Sequence, residues 1–110
     1  MELAVIVLFK PQIVRQLISG LQGIGLMHPT FVESAGTAHA AAGAPFLRFG
    51  GLGVKGWSYN VIVFAFAPTH EHWERAAELA EHLTGGPEGQ GAITFCVPIA
   101  SFRGWLGDGP

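Results

Sequence analysis

Charge is scarce in this chain: Asp, Glu, Lys and Arg make up 13% of its residues, with six basic against eight acidic groups and a net charge of −2. A protein that grips a nucleic-acid backbone or an anionic membrane carries a basic surface, so neither is an expected partner. There is one cysteine, Cys96, and an internal disulfide is therefore impossible, which favours a reducing compartment. Long apolar runs are missing too. The longest near the start is Leu3 to Phe9, far below the roughly 20 residues of a membrane span. It follows an acidic Met1-Glu2 start where a signal peptide would be basic, so the expected location is the cytoplasm. No nucleophile–base–orienter set is visible, and the chain is not expected to be an enzyme.

What is abundant is apolar surface and glycine. Hydrophobic residues make up 49% of the 110, and 16 are glycine. That length allows one domain with one core, and the apolar share exceeds what a small monomer readily hides.

Leu3 to Phe9 is short, continuous and β-branched, as in a buried strand. Lys10-Pro11 ends it, and Ile13, Val14, Leu17, Ile18 and Leu21 then recur at helical spacing, with Gly23 and Gly25 placed to stop the helix. Thr30 to Ala35 reads as a second strand. Asn60 to Ala67 is a third, with Val61, Val63, Ala65 and Ala67 on one face and Ile62, Phe64 and Phe66 on the other. Thr69 is placed to cap a second helix whose stripe is Trp73, Ala76, Ala77, Ala80 and Leu83, and Gly85-Gly86-Pro87 closes it. Ala92 to Pro98 is the fourth strand. The expected class is α+β, a ferredoxin-like β-α-β β-α-β sandwich in one domain over 1–110, with a long loop between strands 2 and 3.

Two features point to function. The 37–58 loop, rich in glycine and without periodicity, is expected to be mobile and functional. The third strand is apolar on both faces while two helices can cover only one, so another copy of the chain is the expected cover.

Single residues invite sharper chemistry that their settings do not support. Gly51-Leu52-Gly53-Val54-Lys55-Gly56 fits G-x-G-x-x-G but runs into a strand rather than a helix. His70 and His72, two apart on a helix, diverge by about 200° and chelate poorly. Glu74, Glu78 and Glu81 read as a solvated face, and Cys96, in an apolar strand without a nearby basic residue, as an inert thiol. No metal site is expected.

The order of these segments resembles the PII signal-transduction family and its PII-like relatives over nearly the whole chain. The resemblance runs from the first strand into Lys10-Pro11 and through Val32-Glu33-Ser34-Ala35-Gly36. It continues across the long loop and Pro68 to Thr84-Gly85 and Gly89-Gln90-Gly91, and ends at Ser101-Phe102-Arg103-Gly104. It implies a homotrimer with sheets facing inward and an adenine-nucleotide effector in clefts between subunits. It also implies a signalling role in which the 37–58 loop contacts a target enzyme or transporter. The implied nucleotide-binding residues are Gly36, Thr37, Thr84, Gly85, Gly86, the glycine-rich turn residues Gly89, Gln90 and Gly91, and Arg103. Two cations usual in the family are missing, with Ala92 after the glycine-rich turn and Ser101 before Arg103. A weaker grip on outer phosphates follows, so ADP, AMP or a small anion is expected over ATP. The alternative is a trimeric metal- or stress-related binding protein of the same fold without nucleotide.

Overall fold

The computed structural model describes residues 1–36, 58–86 and 91–106. The elements are β1 (Glu2–Leu8), a 3₁₀ turn (Pro11–Ile13), α1 (Val14–Ile24), β2 (Met27–Gly36), β3 (Ser58–Ala67), α2 (His70–Leu83) and β4 (Ala92–Pro98). The four strands form one sheet in the order β2-β3-β1-β4, and every neighbouring pair is antiparallel. This is a small α+β fold, compatible with the ferredoxin-like class. Residues 37–57, which hold most of the long loop together with its G-x-G-x-x-G match, lie outside the described residues.

Local chemistry accounts for the element ends. Proline at Pro11 opens the 3₁₀ turn that leads into α1, where its missing N–H costs no helical bond. Gly25, at φ 110°, takes the left-handed conformation that ends α1 and donates to Leu21 and Gln22. Gly23, expected to help stop the helix, lies inside it instead. At α2 the Thr69 side chain accepts from the His72 backbone N–H, as its N-cap position predicts. The second strand begins three residues earlier than Thr30. An irregularity between Met27 and Thr30, with His28 at φ 56°, lets the pairing start at Met27 despite Pro29.

The core lies between the sheet and the helices. Ala4, Ile6 and Leu8 of β1 pair with Ala65, Val63 and Val61 of β3, and all six are buried with Leu17 and Leu21 of α1 and Ala76 and Ala80 of α2. The alternation expected in β3 is observed. Gly20 lets the helices approach closely, since a Cβ there would lie 2.5 Å from Leu79 Cδ2.

On the other face of the sheet, no described helix forms a layer. Register places Leu3, Val5 and Val7 of β1 beside Ile62, Phe64 and Phe66 of β3, with Ile93, Phe95 and Val97 of β4 and Val32 of β2 at the flanks. The flanking four are 43–50% exposed, Val97 least and Ile93 most. Phe102, from the segment after β4, packs edge-on against Phe66 with ring centroids 6.0 Å apart. No described helix of the chain is long and apolar enough to cross a membrane.

Candidate functional site

The end of the sheet from which the long insert departs holds a cavity of about 430 Å³. Its wall comes from Glu33, Ser34 and Ala35 at the end of β2, Tyr59 and Asn60 at the start of β3, and Pro11 before α1. Asn60 is buried, and its Oδ1 accepts a hydrogen bond from the Ser34 hydroxyl, which closes the hairpin base with a side-chain pair. Glu33 is the charged member of this wall. A phosphate against Glu33 would be repelled, whereas an uncharged ring with hydrogen-bonding edges suits a wall of Asn60, Ser34 and Tyr59.

Gly36, the last residue of β2, pairs with Ser58 beside this cavity. Thr84 and the glycines after it sit at the same end of the sheet, on the opposite lateral edge. There the Phe9 N–H donates to the Gly91 carbonyl at 2.9 Å. Thr84 is buried and its hydroxyl donates to the Ala80 carbonyl at 2.7 Å, so the side chain finishes α2 rather than facing solvent. Gly85 and Gly86 both take φ 94°, and the Gly86 N–H returns to the Glu81 carbonyl in a Schellman closure. Gly91 is required by close packing: an added Cβ would stand 2.5 Å from Thr84 Cβ. Thr37, Gly89 and Gln90 lie outside the described residues.

Arg103 is elsewhere. It is exposed and follows Phe102, whose ring rests on Phe66 near the Glu2 end of β1. Five residue steps along a strand, about 17 Å, separate that row from the Leu8 end. Gly36 and Gly91 lie on β2 and beside β4, about 14 Å apart in the lateral direction alone, across three interstrand spacings. Among the described residues, a single chain therefore does not bring Gly36, Gly91 and Arg103 together. They occupy the hairpin base, the glycine turn and the far end of the sheet.

The far end carries a second cluster. Glu2 opens β1, His70 opens α2, and Cys96 of β4 pairs with Ala4 on the helix-facing side. One ligand-type atom from each lies within 4.8 Å of the other two. His70 Nδ1 is 2.8 Å from Glu2 Oε1, and its Nε2 is 3.3 Å from Glu74 Oε1. The Trp73 ring lies against the imidazole, with centroids 5.3 Å apart. Lost hydration pushes the Cys96 thiol above its ordinary pKa, and the charge of Glu2 and a hydrogen bond to it push the same way. Sequence order hid this cluster, because 68 residues separate Glu2 from His70. The spacing rule weighed His70 against His72, whereas the residues that approach its ring nitrogens are Glu2 and Glu74. Cys96 does have a basic side chain close by, contrary to its expected setting.

No family model matches this chain, and no curated protein matches it.

Proposed function

We propose that this chain is a PII-like regulatory sensor. In this reading the fold is the ferredoxin-like double β-α-β unit, and three copies assemble with their uncovered sheet faces inward. Clefts between copies take an adenine nucleotide, ADP or AMP in preference to ATP, or a small anion. The 37–58 segment carries the signal to a partner enzyme or transporter in the cytoplasm, and the chain itself performs no catalysis.

The observation that carries the reading is the apolar face, which runs across all four strands with no described helix over it. Contiguous apolar surface of this kind marks an interaction site. The spread of the described candidate residues supports this reading. Gly36 with its cavity, the glycine turn and Arg103 lie on different edges of one chain, so a joint site needs residues from two copies. Phosphates would sit away from Glu33, held by glycine-turn amides and by Arg103 of a neighbouring copy.

Calorimetry with ATP, ADP and AMP tests the ligand. ADP or AMP should bind at least as tightly as ATP, and Arg103→Ala should weaken binding about tenfold or more, the worth of one charge-assisted hydrogen bond. No heat with any nucleotide, together with a silent Arg103→Ala, would overturn the nucleotide part of the reading.

A further inference from the structure

We propose that Glu2, His70 and Cys96 form a three-ligand site for a divalent transition metal of borderline softness, Zn²⁺ above all, with the fourth coordination position open. The site lies at the opposite end of the sheet from the cavity at the insert, and it depends neither on a nucleotide nor on an oligomer.

The donor set is the first argument. One imidazole nitrogen, one thiol sulfur and one carboxylate oxygen are the three protein donors that Zn²⁺ accepts. They arrive from three separate elements, the first residue of β1, the first of α2 and the interior of β4, with their donor atoms within 4.8 Å of one another. A tetrahedral Zn²⁺ with bonds of about 2.0–2.3 Å needs its donors about 3.3–3.8 Å apart. Movements of about 1 Å reach that spacing from the present one. Glu2 and His70 would part slightly from their 2.8 Å contact, and the rotamers of Glu2 and His70 can supply that movement.

The surroundings of His70 are the second, independent argument. A metal-bound imidazole characteristically donates its other ring N–H to a carboxylate, which fixes the tautomer. Here Nδ1 faces Glu2, while Nε2 faces Glu74 Oε1 at 3.3 Å one helical turn on. Trp73 holds the ring plane from the side, and the Thr69 cap fixes where the helix begins. The ligand is therefore oriented before any ion arrives. His70 is also 56% exposed at its side chain, which leaves an ion a path in from solvent.

Charge balance fits as well. Carboxylate and thiolate together neutralise a divalent ion, which offsets the unfavourable positive end of α2. On binding, the Cys96 thiol proton leaves to solvent and sulfur bonds to the metal. The proton that Nδ1 shares with Glu2 also leaves to solvent, which frees the Nδ1 lone pair for the metal. Glu2 exchanges its hydrogen bonds for a metal–oxygen bond, and the imidazole keeps one proton, on Nε2 toward Glu74.

The test uses the untagged full chain, because an extension at Met1 would crowd Glu2. Co²⁺ titration should saturate at one ion per chain with a thiolate-to-cobalt charge-transfer band, and Zn²⁺ should displace it. Cys96→Ser should abolish the band. His70→Ala, at an exposed position where folding is not at stake, should weaken Zn²⁺ binding at least about tenfold, and Glu74→Gln should weaken it about tenfold through the ring's orientation. His82→Ala, exposed on the last turn of α2, should change nothing. Absence of a thiolate band overturns the proposal. So does Zn²⁺ affinity that is unchanged in His70→Ala, or that falls equally in His82→Ala.

Discussion

The two faces of the sheet are nearly equal in hydrophobic content and opposite in cover. On one, Ala4, Ile6, Leu8, Val61, Val63, Ala65 and Ala67 are small or branched and almost fully buried under α1 and α2. On the other, Leu3, Val5, Val7, Ile62, Phe64, Phe66, Ile93, Phe95 and Val97 include three phenylalanines and have no described helix over them. Val5 at the centre is buried among its neighbours, while Ile93, Phe95 and Val97 at the edge are half exposed. Side-chain size differs in the direction packing requires. Ala4 of β1 and Ala65 and Ala67 toward the end of β3 share the core with Ala76 and Ala80 of α2, small residues that suit close helix–sheet packing, whereas an open face tolerates large rings. The comparison teaches that apolar alternation tells which residues leave water, while the supply of helices tells which face must look outside the chain for cover.

The largest expected contrast comes from one charge on each face. Val63→Asp places a carboxylate in the covered core with no partner and should abolish folding, read as loss of the cooperative melt. Phe64→Asp, its neighbour on the open face, should leave a folded chain by circular dichroism but dissociate the proposed assembly. If Phe64→Asp stayed assembled, the open face would not be the interface.

Smaller perturbations sharpen the covered side. Leu17→Ala, in the buried core cluster, should cost about 2–5 kcal/mol in denaturant unfolding. Gly91→Ala forces a Cβ against Thr84 and should cost about 1–3 kcal/mol, without touching either sheet face. Thr69→Ala removes the cap of α2 and should cost about 1 kcal/mol.

The smallest effect expected is pH-dependent. The folded-state pKa of Cys96 is raised, so the unfolded thiol ionises first. Its contribution to stability is complete below the unfolded thiol's pKa and is lost as pH rises through the folded value. The urea midpoint of the metal-free chain should therefore fall more between about pH 7 and about pH 10 than that of Cys96→Ser.

Much of this fold was legible in the residues. Leu3 to Phe9 and Asn60 to Ala67 carry their strand character in β-branched runs, and Thr69 and Gly25 mark helix ends by chemistry that operates within four residues. Even the face assignment of β3 followed from a period of two. Gly23 was misjudged because a glycine inside a helix costs only about 1 kcal/mol, which the buried neighbours Leu17 and Leu21 offset. The strand start at Met27 was hidden by Pro29, which local rules read as a break and a bulge accommodates.

Sites were harder to read than elements. The wall that Pro11, Ser34 and Asn60 share exists only once β2 pairs with β3, and no local pattern announces it. Glu2, His70 and Cys96 belong to β1, α2 and β4, and only strand order brings them together. The separation of Arg103 from Gly36 likewise follows from the path after β4, where Phe102 turns back onto Phe66. A metal that binds while nucleotides do not would favour the alternative assembly, a trimeric metal-binding protein of the same fold.

The central claim is that the open sheet face is covered by further copies of this chain. Light scattering coupled to gel filtration of the untagged chain at micromolar concentration addresses it directly. A single species at three times the 11.7 kDa chain mass, stable to dilution, is expected. A folded species at the mass of one chain, with its apolar face in water, would contradict it.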